Sequence, residues 1–110
     1  MSRHERARLQ DIASACAAIT RYIDRADVDD DIVFDAVRIR LLEIGEAVKD
    51  LDPEVLATEP DIPWREVSRM RDQLAHRYFD TAHAIVHATA RHDIPRPAAA
   101  TQRLLAASRD

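Results

Sequence analysis

One glycine in 110 residues constrains this chain more than any other feature. β-Hairpins need turn glycines, and here they are missing. The prolines Pro53, Pro60, Pro63, Pro95 and Pro97 all fall between residues 53 and 97, at places where helices should begin or stop. The pattern predicts an all-α chain. A length of 110 residues fits a single domain, 1–110, and 46% apolar residues suffice for one core but not two.

The helices follow from caps and periodicity. Ser2 and Glu5 form a capping box, so the first helix starts at Ser2. Leu9, Ile12, Ala13, Cys16, Ile19 and Ile23 recur at steps of three and four and build one buried stripe. The acidic run from Asp27 to Asp31 ends that helix and caps the next, predicted from Ile32 to Leu51. The second helix carries two stripes, Val33, Val37, Leu41, Ile44, Val48 and Leu51 on one, Ile32, Ala36, Ile39 and Leu42 on the other. So wide an apolar circumference calls for neighbours on two sides, one of them conceivably a second subunit. Gly45 lies inside this helix at a cost of about 1 kcal/mol relative to alanine. Either it is merely tolerated, or another helix backbone comes close to it.

Asp52 and Pro53 open a short helical turn, and residues 59–64 form a loop. A third long helix is predicted from Pro63 to Tyr78, capped by Asp61 or Ile62, and a fourth from Thr81 to His92, capped by Asp80 and Thr81. The run from Asp93 to Pro97 should stop the fourth, leaving a last amphipathic segment with Leu104 and Leu105 that packs loosely.

Charge and cysteine usage narrow the function classes. A net charge of −4 argues against a generally sticky nucleic-acid binder, so any RNA contact must come from a local basic cluster. Of the 16 basic residues only Lys49 is lysine. Arginine suits bidentate phosphate contacts, but base composition of the genome explains such a bias as readily. Cys16 is the single cysteine, which fits a reducing cytoplasm. The charged start of the chain shows no secretory pattern, and no apolar run approaches the ~20 residues of a membrane span. The expected location is cytoplasmic.

The predicted third helix carries the chemistry. At about 100° per residue, Trp64, Val67, Arg71, Leu74 and Tyr78 fall on one side, and Arg65, Arg69, Asp72 and His76 on another. Arg71 sits in an apolar row, where an unpaired charge is costly. It needs a carboxylate, a phosphate or a route to water, or its stem packs while its head stays solvated. Arg71 and His76 lie about 140° apart, too wide to meet easily on one phosphate from a straight helix. Either the cleft embraces the whole edge of the helix, or two copies contribute their motifs across a dimer axis. The surplus apolar surface of the second helix favours the dimer, since a two-fold interface brings the same patch from each chain together.

The run Arg71-Asp72-Gln73-Leu74-Ala75-His76-Arg77-Tyr78 resembles the Arg-x4-His-x-Tyr motif of HepT-like toxins in the HEPN superfamily. Leu42 to Lys49 looks like that family's second-helix signature, and Ile62 to Val67 like the lead-in to its motif helix. Tyr78-Phe79-Asp80 followed by an apolar helix is also similar, so the resemblance extends roughly from Ile32 to Pro95. It implies a compact, homodimeric up-and-down bundle of four to five helices that cleaves RNA without a metal or other cofactor. It implies Arg71 and His76 as catalytic residues and Asp72 as a supporting polar group. It also implies an MntA-like minimal nucleotidyltransferase antitoxin that transfers AMP to Tyr78, within a type VII toxin–antitoxin complex. The chemistry suits these residues. RNA carries its own nucleophile in the 2′-hydroxyl, histidine moves protons near neutral pH, and arginine stabilises charge on the phosphorus oxygens.

The chain departs from the family at Arg69 and Arg77, where glycines are usual. Both add positive charge beside the motif, and with Arg65 they are the candidate RNA-binding residues. Two competing readings stand beside this one. The chain is a weakly active or inactive partner-binding subunit of a nucleotidyltransferase complex, or His83 and His87, four residues apart, hold a metal with His76 or His92. The second lacks the glutamate that a catalytic zinc helix would place after the first histidine.

Overall fold

The computed structural model describes residues 1–27, 30–76, 86 and 88–107. Ser2 starts the first helix as its composition demands. Its hydroxyl accepts from the Glu5 N–H at 3.1 Å while the Glu5 carboxylate reaches back to the Ser2 N–H. Helix α1 then runs Arg3–Arg25 and buries Leu9, Ile12, Cys16 and Ile19, joined by Ala15 and Ala18. Ala13 and Ile23 are only half-buried. Burial removes water from the Cys16 thiolate and pushes its pKa up to about 11, so the thiol is inert at neutral pH.

Helix α2, Asp31–Lys49, begins where the Asp30 carboxylate accepts from the N–H groups of Ile32 and Val33 at 2.9 and 3.2 Å. Its first stripe is core: Val37, Leu41, Ile44 and Val48 are buried, with Phe34 beside them and Leu51 just past the helix end. Helices α1 and α4 pack on it from two sides, so neighbours within the chain already occupy much of its circumference. The second stripe is only partly covered, with Ala36 and Leu42 half-buried and Leu42 packed on the core. Ile32 is 80% exposed and Ile39 55%.

The short helix α3, Pro53–Leu56, has the Asp52 carboxylate as its cap and proline in its first turn. Helix α4 spans Trp64–His76. It starts later than expected, and neither Asp61 nor Ile62 is its cap. Pro63 stands immediately before it and its carbonyl accepts from the Val67 N–H at 3.1 Å. A residue followed by proline is driven out of helical geometry, which keeps Ile62 outside. Trp64, Met70 and Leu74 are buried, whereas Val67 is half-buried.

The cap at Asp80 and Thr81 and most of the predicted fourth helix, with His83 and His87, lie outside the described residues. Beyond them comes a π-helical turn, Thr89–Asp93, which buries Ala90. Here the expectation of a loosely packed tail fails. After Ile94 the chain enters helix α5, Pro95–Ala107, which packs on α1 and buries Pro97, Ala100, Thr101 and Leu104. Both prolines sit in the first turn of α5, where an N–H has no helical partner in any case, so they start a helix rather than end one.

The order of packing is α5 on α1, α1 on α2, α2 on α4. Among the described residues every element is helical. A radius of gyration of 13.6 Å matches a compact chain of this length, for which about 13 Å is usual. None of the described helices is long and apolar enough to cross a membrane.

Candidate functional site

Gly45 fixes where α4 sits. A Cβ built there would lie 2.7 Å from the Cβ of Arg71, 3.2 Å from its backbone nitrogen and 3.2 Å from the Val67 carbonyl. The two helices therefore touch backbone to backbone, and the close-approach explanation of the glycine is the correct one. The contact delivers Arg71 to the α2–α4 seam.

From the seam the Arg71 side chain turns outward, 39% exposed. Its Nε is 3.0 Å from Glu46 Oε2 and its Nη1 is 3.1 Å from Asp72 Oδ1. The hydrogen bond to Asp72, followed by the charge of Glu46, raises the Arg71 pKa above its ordinary value. A charge survives in that apolar row by both routes, paired carboxylates and access to water. Two carboxylates thus hold the guanidinium by Nε and Nη1, which restrains its plane for an oxyanion.

The guanidinium opens on a groove of about 930 Å³ between α1, α2 and α4. Its other arginines are paired as well, Arg8 with Asp11 at 2.9 Å and Arg40 with Glu43 at 3.1 Å. Arg40 also donates to the Tyr22 hydroxyl from Nε and Nη2 at 3.2 and 3.1 Å. The exposed Ile39 lies on the rim of this groove.

His76 is the last described residue of α4, five positions beyond Arg71. Arg77 and Tyr78 lie outside the described residues, so Arg71, Asp72 and the helical position of His76 are what the structure brings together. Arg65 and Arg69 are exposed on α4 and face a different groove from Arg71.

Sequence reasoning missed two residues here. Glu46 was visible only as part of a family-like signature. Arg38 was not singled out at all, yet its Nη2 donates to the Leu74 carbonyl at 2.8 Å. The Leu74 carbonyl lies two residues before His76, so this bond ties α2 to the stretch of α4 that carries His76. The signal was present, because Arg38 precedes Gly45 by seven residues and so shares its face of α2.

With this geometry in view, comparison with known proteins gives a consistent answer. The family model described as Ribonuclease HepT-like matches residues 9–104. The "Probable ribonuclease HepT" of Thermococcus cleftensis is 40% identical over 99 residues, covering 86% of this chain and 90% of that one. A "Putative RNase" of Methanocaldococcus jannaschii is 37% identical over 91 residues, covering 79% of this chain and 78% of that one. Another "Putative RNase", from Caldanaerobacter subterraneus, is 34% identical over 91 residues, covering 79% of this chain and 81% of that one. No solved structure matches the chain significantly. The chain belongs to the HepT-like ribonuclease family.

Proposed function

We propose that this chain is a metal-independent endoribonuclease, the toxin of a type VII HEPN/MNT toxin–antitoxin system, acting in the cytoplasm. The observation that carries the reading is the Arg71 guanidinium, held by Glu46 and Asp72 at an open groove on the helix that carries His76. In the reaction the 2′-oxygen attacks phosphorus and the bond to the 5′-oxygen breaks. The 2′-hydroxyl proton leaves to a base, and the departing 5′-oxygen gains one. His76 moves these protons, and Arg71 stabilises the charge on the non-bridging oxygens. The products are a cyclic phosphate and a 5′-hydroxyl.

The active unit in this reading is a homodimer. The exposed Ile32 and Ile39 are seven residues apart on one face of α2, and Ile39 borders the Arg71 groove. A two-fold contact there would cover them and bring two copies of the motif to one cleft. The wide angle between Arg71 and His76 then ceases to matter, because one chain's Arg71 works beside the other chain's His76.

The antitoxin is an MntA-like nucleotidyltransferase that transfers AMP to Tyr78. An added phosphate and base two residues from His76 repel RNA and obstruct the cleft.

Purified protein incubated with RNA in excess chelator is expected to yield 5′-hydroxyl and cyclic-phosphate ends. An intact substrate would favour the alternative, a partner-binding subunit of a nucleotidyltransferase complex without strong nuclease activity. Co-expression with the cognate nucleotidyltransferase should raise the intact mass by whole adenylyl groups. An unshifted mass, with Tyr78→Phe silenced as well as the parent, would remove Tyr78 from the scheme.

A further inference from the structure

We infer that the groove at the start of α4, bounded by Lys49, Arg65 and Arg69, binds the sugar–phosphate backbone of single-stranded RNA beside the scissile bond. The inference rests on the ribonuclease reading above and gives that reading its substrate-holding surface.

The two grooves on either side of the α2–α4 seam differ in charge. The Arg71 groove carries Asp11, Glu43, Glu46 and Asp50 against three arginines, each of them in an ion pair. It offers little free positive charge to a polyanion. The second groove, about 660 Å³, lies between the end of α2, α3 and the first turns of α4. Lys49, Arg65 and Arg69 line it, and among the described residues no carboxylate does. All three cations are exposed, and none has an ion pair or side-chain hydrogen bond among the described residues. In a chain of net charge −4, this is a local positive field of the kind a phosphate backbone requires.

Its floor is apolar, with exposed Pro53 and Pro60 and half-buried Leu56 over the buried Leu51 and Trp64. Trp64 is held there by its indole N–H, which donates to the Glu59 carbonyl at 3.0 Å. Cations along a groove with an apolar floor suit a single strand, whose phosphates meet the charges while its unpaired bases lie on the exposed apolar side chains. A duplex would not use the apolar floor.

Register connects the groove to the chemistry. Arg65, Arg69, Asp72 and His76 follow one another at steps of four, three and four along α4. Arg69 and His76 are seven residues apart, roughly 10 Å along the helix. A strand lying on this face passes from the groove to the catalytic position without leaving the helix. The groove thus holds nucleotides next to the one that is cut, not the scissile phosphate itself.

The test uses full-length His76→Ala protein, so that RNA survives the titration, and a fluorescein-labelled single-stranded oligoribonucleotide. Adding Lys49→Gln, Arg65→Gln and Arg69→Gln should weaken binding at least tenfold at low salt. It should also flatten the slope of log affinity against log salt by about 2, since each phosphate neutralised on a single strand contributes roughly 0.7 to that slope. Trp64 is the sole tryptophan, so unlabelled oligoribonucleotide should change the protein's intrinsic emission, and the triple variant should lose that change. Arg21→Gln with Arg25→Gln, exposed arginines on α1, serves as the control for net charge and should leave affinity and slope as they were. An unaltered affinity in the triple variant overturns the inference, as does an equal loss in the α1 control. Normal RNA binding with lost retention of the co-expressed nucleotidyltransferase would assign the groove to a protein and overturn it too. If the wild type fails to cut RNA, the nuclease reading falls, while the binding and emission results still decide the groove.

Discussion

Alanine at His76 is expected to slow RNA cleavage by about 10²–10⁴-fold, the range lost when a positioned acid–base group is removed. Alanine at Arg71 should cost about 10²–10³-fold, as for loss of one preorganised donor to a developing oxyanion. The double variant should be little worse than the more damaged single one, because groups acting in one step are far from additive. Arg71→Lys tests the geometry separately from the charge. Lysine keeps the charge but cannot offer Nε to Glu46, Nη1 to Asp72 and a remaining amine to phosphate from one rigid plane. It should therefore recover only a small part of the activity. Initial rates on labelled RNA in chelator, with helicity checked for each variant, supply the measurement. Wild-type rates for His76→Ala would end the assignment of the chemistry to α4.

The second large effect belongs to Gly45→Ala. Alanine ordinarily stabilises a helix interior by about 1 kcal/mol relative to glycine. Here the new methyl group would meet the Cβ of Arg71 at 2.7 Å, and its next neighbours are backbone atoms, the Arg71 nitrogen and the Val67 carbonyl oxygen. None of these can rotate away, so α4 must back off along the seam. Overpacking of this kind costs about 1–3 kcal/mol, enough to outweigh the propensity gain. The melting temperature should fall by several degrees, since 1 kcal/mol corresponds to about 4–8 °C in a domain of this size. Cleavage should fall in step, because Arg71 moves with α4 while Glu46 stays on α2. A Gly45→Ala protein that melts at or above the parent's temperature would show that the helices do not meet at this point.

What the sequence revealed and what it hid divide along physical lines. The starts of α1, α2 and α3 were legible because a cap is a local device: Ser2 with Glu5, an aspartate at the end of the acidic run, Asp52 before Pro53. The main stripe of α2 was legible because burial imposes its period. The start of α4 was misplaced because three candidate residues precede it, and only the backbone decides which carbonyl is used. The last helix was misread because Pro95 and Pro97 stop a helix that precedes them and start one that contains them. Local sequence does not say which. Met70 lay off the expected stripe and is buried because the segment through Ile94 and Pro97 returns beside α4.

The candidate site divides in the same way. Arg71 and Asp72 were legible as residues, but Arg71's place in an apolar row left open a carboxylate, a phosphate or a head simply held in water. The partner's identity was not legible, since it depends on the axial register of α2 against α4. Gly45 sets that register, and Glu46 and Arg38 follow from it. Arg65 and Arg69 were picked out for their charge. That Lys49 joins them across a groove requires knowing that the end of α2 and the start of α4 lie together.

Glu59 joins two distant parts of the chain. Its carbonyl takes the Trp64 indole N–H at 3.0 Å, and its carboxylate takes the Arg103 guanidinium, with Nε at 3.0 Å. One residue of a proline-bounded loop thus ties the first turn of α4 to the far end of the chain. The C-terminal helix works as a guy-rope for the motif helix. Trimming that helix would free the Glu59 carboxylate and leave the loop that anchors Trp64 held at one end only.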